Sequence, residues 1–240
     1  MSISQPTQNV LLAYGQKGQD AALSAPVGNQ LAVYLARAFN RSGGAIDVGL
    51  VKKFRSNAFK LFTYDASAYT EVSLPLSAAT QIMSTTTGHG FVLQFKSRAG
   101  LVSFNLTQAS ASGSYVYQYW NGSSWATLTT IEVPNYTTTG VKHIVFLAPH
   151  DWAIGGGGAL DSSLYSIRVT NSAGIATALK IDSVLAGQMF EFYESVADNQ
   201  SVVLEFPESR PMILEGGEGI MPYFGSANAA NGISIQYTTV

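Results

Sequence analysis

Tyr115-Val116-Tyr117-Gln118-Tyr119-Trp120-Asn121-Gly122-Ser123-Ser124-Trp125-Ala126-Thr127-Leu128 is the stretch on which the reading of the fold turns. Residues two apart in an extended chain share a face, so Tyr115, Tyr117 and Tyr119 line one side of a strand while Val116 and Gln118 take the other. Asn121-Gly122 follows almost at once, the strongest short-range hairpin signal, and Trp125 to Leu128 supplies the returning strand. Aromatic alternation running into such a turn predicts a sheet with one covered face.

The same grammar repeats outward. Residues 91–96, the turn Ser97-Arg98-Ala99-Gly100 and residues 101–106 predict another hairpin. Further short apolar runs occupy residues 142–147, 164–170, 189–193, 202–206, 212–214, 219–224 and 233–237, separated by Gly, Asn, Asp and Pro. Many short strands with turn chemistry between them predict an all-β chain, an antiparallel β-sandwich of jelly-roll-like type. No helical segments alternate with them as a βαβ fold requires. Residues 30–40 fit two readings: Leu31, Leu35 and Phe39 recur at spacing four, yet Leu31, Val33 and Leu35 alternate. Residues 1–28 hold Pro6 and Pro26 and keep no period, which predicts an extended N-terminal arm. Residues 29–84 then form a β-rich region and 85–240 the sandwich domain, with the join near residues 78–90. Phe62-Thr63-Tyr64-Asp65 with Tyr69 and Val72 echoes Tyr117-Gln118-Tyr119-Trp120 with Trp125 and Leu128, the second copy one residue longer at Gly122. Two hairpins obeying one turn rule explain the echo without a duplication.

Composition narrows the function classes. The 240 residues carry 13 Lys+Arg against 15 Asp+Glu, a net charge of -2, with 12% charged and 46% hydrophobic residues and a mean hydropathy of +0.14. Such a chain buries roughly 70% of its surface and is no disordered polymer. No basic stripe offers itself to phosphates, so no nucleic-acid partner is expected. No run reaches the roughly 20 apolar residues that span a bilayer, and no membrane partner is expected. The start lacks a basic region and an apolar core, so the mature chain is expected to begin at Met1. With no cysteine there is no disulfide or thiolate site. Hydroxyls cost less to desolvate than ions, so a surface rich in Ser and Thr suits coverage by neighbours.

Residues that could carry chemistry are few. His89, His143 and His150 show none of the spacings that place metal ligands on one face, and no metal or cofactor is expected. His150-Asp151 with a serine would make a triad, but no nucleophile-turn motif accompanies them. Glu205, Glu208, Glu215 and Glu218 offer paired carboxylates of the glycosidase kind, yet Pro207, Pro211 and Gly216-Gly217 mark their surroundings as turns. The run Gly155 to Gly158 lacks the Lys-Ser/Thr of a phosphate loop and is expected to be a flexible connection. Trp120 and Trp125 are the candidates for stacking on a glycan, against the alternative that such rings pack inside.

Tyr119-Trp120-Asn121-Gly122-Ser123-Ser124-Trp125, residues 140–146, Pro149-His150-Asp151-Trp152 and Leu164-Tyr165-Ser166-Ile167-Arg168-Val169 together resemble a β-module of tailed-bacteriophage virion proteins. The resemblance covers residues 113–172. It implies that Trp125 and Trp152 brace one core, that Arg168 pairs with Asp151, and that the chain has no catalytic residue. Arg210-Pro211-Met212-Ile213-Leu214, Gly217-Glu218-Gly219-Ile220 and residues 224–237 resemble, more distantly, the closing strands of virus shell proteins.

The resemblance implies a structural virion protein, a head-decoration or cement protein on the head surface rather than the tail, and no enzyme. Its partners would be the major capsid protein and further copies of itself in a homo-oligomer, a trimer by expectation. The arm would make the contact, through Gln8, Leu12 and Tyr14. The alternative is a tail or fibre module that binds host carbohydrate through Trp120 and Trp125.

Overall fold

The computed structural model describes residues 9–14, 23–76, 78–207, 209–226 and 231–240. Its strands are, in order, β1 (Asn9–Tyr14), β2 (Leu23–Ser24), β3 (Gln30–Phe39), β4 (Ile46–Lys53), β5 (Phe59–Tyr64), β6 (Tyr69–Val72), β7 (Thr80–Met83), β8 (Gly90–Phe95), β9 (Leu101–Gln108), β10 (Tyr115–Trp120), β11 (Trp125–Thr127), β12 (Thr130–Glu132), β13 (Gly140–Phe146), β14 (Tyr165–Asn171), β15 (Leu179–Val196), β16 (Ser201–Glu205), β17 (Met212–Glu215), β18 (Gly219–Phe224) and β19 (Gly232–Thr239). One 3₁₀ turn at Ser56–Ala58 is the only helical element among the described residues. The fold is all-β, with antiparallel sheets packed together, as the turn-punctuated runs predict.

Two compact units divide the chain: Met1–Arg55 with Met189–Val240, and Ser56–Gln188. The join read from the sequence near residues 78–90 falls inside the second unit. The boundary at residue 189 lies within β15, which therefore contributes to both units.

In the first unit β1, β19, β3 and β16 lie side by side, and β17 also pairs with β3. Residues 9–14, read as part of an arm, are extended as expected but belong to this sheet, with Leu12 opposite Ser234 and Tyr14 opposite Gly232. β2 likewise pairs Leu23 and Ser24 with β18. The core is aliphatic, with Val33, Ala36, Leu214, Ile233 and Ile235 fully buried against Leu50 and Phe224 from β4 and β18. Residues 30–40 are strand throughout. Tyr34 is skipped by β19, whose register steps from Leu35 to Val33, while on the other edge β16 pairing ends at Leu35, β17 pairing begins at Val33 and the Phe206 N–H donates to Tyr34 O at 2.8 Å. This bulge changes the buried phase from Leu31 and Val33 to Ala36 and Ala38, which blurs the alternation and imitates a helical spacing.

The second unit packs a six-stranded sheet, in the order β11-β10-β14-β8-β5-β6, against β12-β13-β9-β15 with β7 beside β15. Its core is aromatic. Trp152 is 1% exposed and meets Phe95, Phe146 and Tyr165 edge-on at 5.6–6.2 Å, and Phe104 meets Phe91 and Tyr136. The indole N–H of Trp152 donates to Ser166 O at 3.1 Å, so its polar atom is satisfied. The expected hairpin over residues 91–106 is corrected: β8 pairs with β5 and β14, whereas β9 pairs with β13 and β15. Both are nearly continuous buried strands. Each has neighbours on both edges, so the turn between them crosses from one sheet to the other.

Candidate functional site

The six-stranded sheet turns one face to the aromatic core and carries an unusual set of side chains on the other. Register places Thr127, Gln118, Arg168, Val92, Phe62 and Glu71 in one row across that outer face. Trp120 and Trp125 face each other at one end of the sheet, and Tyr64 and Tyr69 at the other. The inner face receives Tyr115, Tyr117 and Tyr119, as their alternation predicts, with Tyr119 8% exposed and Tyr115 4.3 Å from Tyr136. Burial pushes the Tyr117 phenol up to about 12 and Tyr136 well above its ordinary value.

Both outer pairs are set by the same turn. In β10–β11 the Oδ1 of Asn121 accepts from the Ser123 N–H at 3.0 Å and the Ser124 N–H at 2.9 Å, and Gly122 takes a φ of +97°. In β5–β6 the Oδ1 of Asp65 accepts from the Ser67 N–H at 3.0 Å and the Ala68 N–H at 2.6 Å, and Ala66 takes a φ of +73°. Asx side chains close turns in this way because they mimic a backbone acceptor. The true correspondence is thus Tyr64-Asp65-Ala66-Ser67-Ala68-Tyr69 with Trp120-Asn121-Gly122-Ser123-Ser124-Trp125, with no extra residue. The sequence echo was read one position out of step. The N–H groups of Ala68 and Ser67 hold the Asp65 carboxyl down at about 2.

Arg168 on β14 joins the two ends. Its guanidinium lies 4.4 Å from the Trp125 ring and 5.2 Å from the Tyr64 ring, and its Nη2 and Nε donate to Gln118 Oε1 at 2.7 and 3.1 Å. This overturns the expected Arg168–Asp151 pair. Asp151 instead accepts from the Tyr119 hydroxyl at 2.8 Å. It also overturns the shared core of Trp125 and Trp152. Trp125 packs with Phe62, Val92 and Leu160 on the outer face, while Trp152 is in the aromatic interior. Trp120 and Trp125 do stand together, 5.7 Å apart and edge-on. Arg168 covers a face of Trp125, and a Cβ built on Gly155 would sit 3.0 Å from Trp120 Nε1. Both rings are contacted by neighbours and both stay part-exposed.

The glycine run is a fitted cover rather than a loose connection. Gly155 and Gly156 are buried, and a Cβ on Gly156 would fall 2.6 Å from Leu160 Cδ1. The loop is pinned by buried Gln94, which donates to Asp161 O at 2.9 Å and accepts from the Asp161 N–H at 3.0 Å, and by Ser166 Oγ, which donates to Gly155 O.

The other sequence candidates separate. Gln8 and Glu208 lie outside the described residues. Leu12 and Tyr14 stand on β1 at the edge of its sheet. His150 is 99% exposed and 3.9 Å from Asp151, while His143 is buried on β13 and His89 is bonded through Nδ1 to Ser84 Oγ at 2.8 Å. Glu218 pairs with Lys52 at 2.7 Å and Glu215 with Arg55, so cations take up these two carboxylates, and Glu205 lies on β16. No group of three potential metal ligands occurs among the described residues. Arg168 and the Asx turns were missed as a set. The signal was present in the spacing aromatic-Asp/Asn-x-Ser-x-aromatic. No protein-family model and no curated protein matches this chain.

Proposed function

We propose that the chain is a structural protein of a tailed-bacteriophage virion, of the head-decoration type, which stabilises the head by bridging capsid subunits. One observation carries this reading beyond the resemblance. β1, Asn-Val-Leu-Leu-Ala-Tyr, is six residues long, uncharged, and paired through β19 alone among the described residues. An edge of this kind offers a row of backbone donors and acceptors to an added strand.

The remaining edges are blunted. β2, β6, β7, β11 and β12 have two to four residues each. The far edge of the β1 sheet changes from β16 to β17, and Pro207 and Pro211 between them have no backbone N–H to offer a partner. Leu147, Val133 and Ile154 are 50–55% exposed and add apolar contact area. Single contacts of this size are weak, but a homo-oligomer, a trimer in this proposal, presents several at once and raises their effective concentration. Gln8, Leu12 and Tyr14 are the proposed contact residues, with the major capsid protein as partner.

Purified chain mixed with heads that lack decoration tests the proposal. Co-sedimentation with the heads, a higher temperature of head disruption, and loss of both on deleting residues 1–14 from a chain that stays folded are expected. Failure to sediment, or full binding by the folded deletion, would contradict it.

A further inference from the structure

Beside the β5–β6 hairpin the second unit holds a half-open cavity of about 220 Å³. A water takes up ~30 Å³ of liquid, so the space suits several waters or one sugar-sized ring. Asp65 and Thr70 from the hairpin line it, together with Gln81, Ser84 and His89. Ile82 and Met83 also border it, each 1% exposed.

Both rims are fixed by hydrogen bonds of their own. Asp65 Oδ1 is taken up by the Ser67 N–H, the Ser67 hydroxyl and the Ala68 N–H, at 3.0, 2.8 and 2.6 Å, which leaves Oδ2 as the acceptor for a ligand. Opposite, Asn171 Nδ2 donates to Ser84 O at 3.1 Å and Thr86 O at 2.8 Å, and the His89 N–H donates to Thr86 O at 3.2 Å. Ser84 Oγ accepts from the Thr86 N–H at 3.2 Å and lies 2.8 Å from His89 Nδ1. In the tautomer whose serine proton goes to Nδ1, the imidazole proton lies on Nε2.

We propose that this cavity binds the neighbouring hydroxyls of a neutral sugar ring, with Asp65 Oδ2 accepting hydroxyl protons and His89 Nε2–H donating to a hydroxyl oxygen. A carboxylate beside a neutral N–H donor matches a diol, which both gives and receives hydrogen bonds. An anion meets the charge of Asp65. An alkylammonium satisfies Asp65 but turns its positive charge toward the imidazole donor. Because the Asp65 carboxyl titrates at about 2, it is ionised throughout the neutral range. The site is independent of the head-decoration reading, since sugar binding requires no particle.

The test is amide NMR on the full chain, titrated separately with methyl α-D-glucopyranoside, methyl α-D-mannopyranoside and methyl β-D-galactopyranoside, with methylammonium as a control. Saturable shifts at Ala66, Ala68, Gln81, Ser84 and His89 with at least one glycoside are expected. Asp65→Asn keeps an acceptor for the turn, so the fold is retained, yet it replaces Oδ2 with a donor and is expected to weaken binding roughly tenfold or more. No saturable shift with any of the three glycosides overturns the proposal. So do shifts confined to the Trp120–Trp125 hairpin, shifts with methylammonium alone, or unchanged binding by Asp65→Asn.

Discussion

The two outer hairpins of the six-stranded sheet use one turn and reach different ends. At β10–β11 the positive φ falls on Gly122, the Asx residue is neutral Asn121, and the flanking rings are tryptophans set edge-on. At β5–β6 the positive φ falls on Ala66, the Asx residue is the charged Asp65, and the flanking tyrosines are stacked at 4.8 Å. Both turns are exposed, and the glycine-rich segment reaches both hairpins: a Cβ on Gly155 would fall 3.0 Å from Trp120 Nε1 and one on Gly158 3.3 Å from Tyr69 Cε2. The second hairpin stands beside a polar cavity that Asp65 lines. The same local device thus carries a pair of indoles on a neutral turn at one hairpin and a charged carboxylate beside a cavity at the other.

The largest expected effect separates the aromatic pairs. Trp125→Ala removes contacts to Trp120, Arg168, Phe62, Val92 and Leu160 together, and a loss of about 2–3 kcal/mol is expected in urea unfolding. Tyr69→Ala removes a smaller ring from the same cluster and is expected to cost less, about 1–2 kcal/mol. Equal losses would show that ring size does not set the difference between the two pairs.

Arg168 is next. Arg168→Lys keeps the charge but cannot fork onto Gln118 or lie flat over Trp125, and a loss of about 1–2 kcal/mol is expected. Stability equal to the unchanged chain would show that charge alone mattered.

Reciprocal turn substitutions follow. Gly122→Ala places a Cβ in the left-handed region against Ala153 and is expected to destabilise by about 1 kcal/mol, whereas Ala66→Gly relieves the same conformation and should stabilise by a few tenths of a kcal/mol. Changes of the same sign would show that the two turns are not equivalent.

The smallest effect is a pH dependence confined to β5–β6. The Asp65 carboxyl titrates at about 2 when folded and near 3.8 when unfolded. Its contribution is complete above the unfolded value and is lost as pH falls from about 4 to 2. Asp65→Asn should therefore show a shallower fall in melting temperature across that window, while Asn121→Asp should steepen it. No difference from the unchanged chain would remove the charge from the explanation.

Fold class was legible because turn residues punctuate apolar runs, and β10–β11 was legible because alternating tyrosines run into Asn121-Gly122. Pairing was less legible. Residues 91–95 and 101–106 are buried almost throughout, polar Gln94 and Ser103 included, and nothing local distinguishes a hairpin from a crossing between sheets. The bulge at Tyr34 hid the period of β3. Of the outer face, the tryptophans could be read but their partners could not. Arg168 reaches Trp125 and Tyr64 through register across neighbouring strands, a long-range fact with no local signal. The cavity is equally non-local, since Asp65 and His89 meet only after β5 and β8 pair.

The proposed role in a virion is tested most directly by the copy number of the chain in purified intact particles, measured by quantitative mass spectrometry against the major shell subunit. A fixed small-integer ratio to that subunit, unchanged by high-salt washing, is expected. Particles of full infectivity that contain none of the chain, with all of it recovered in the soluble fraction, would contradict that role.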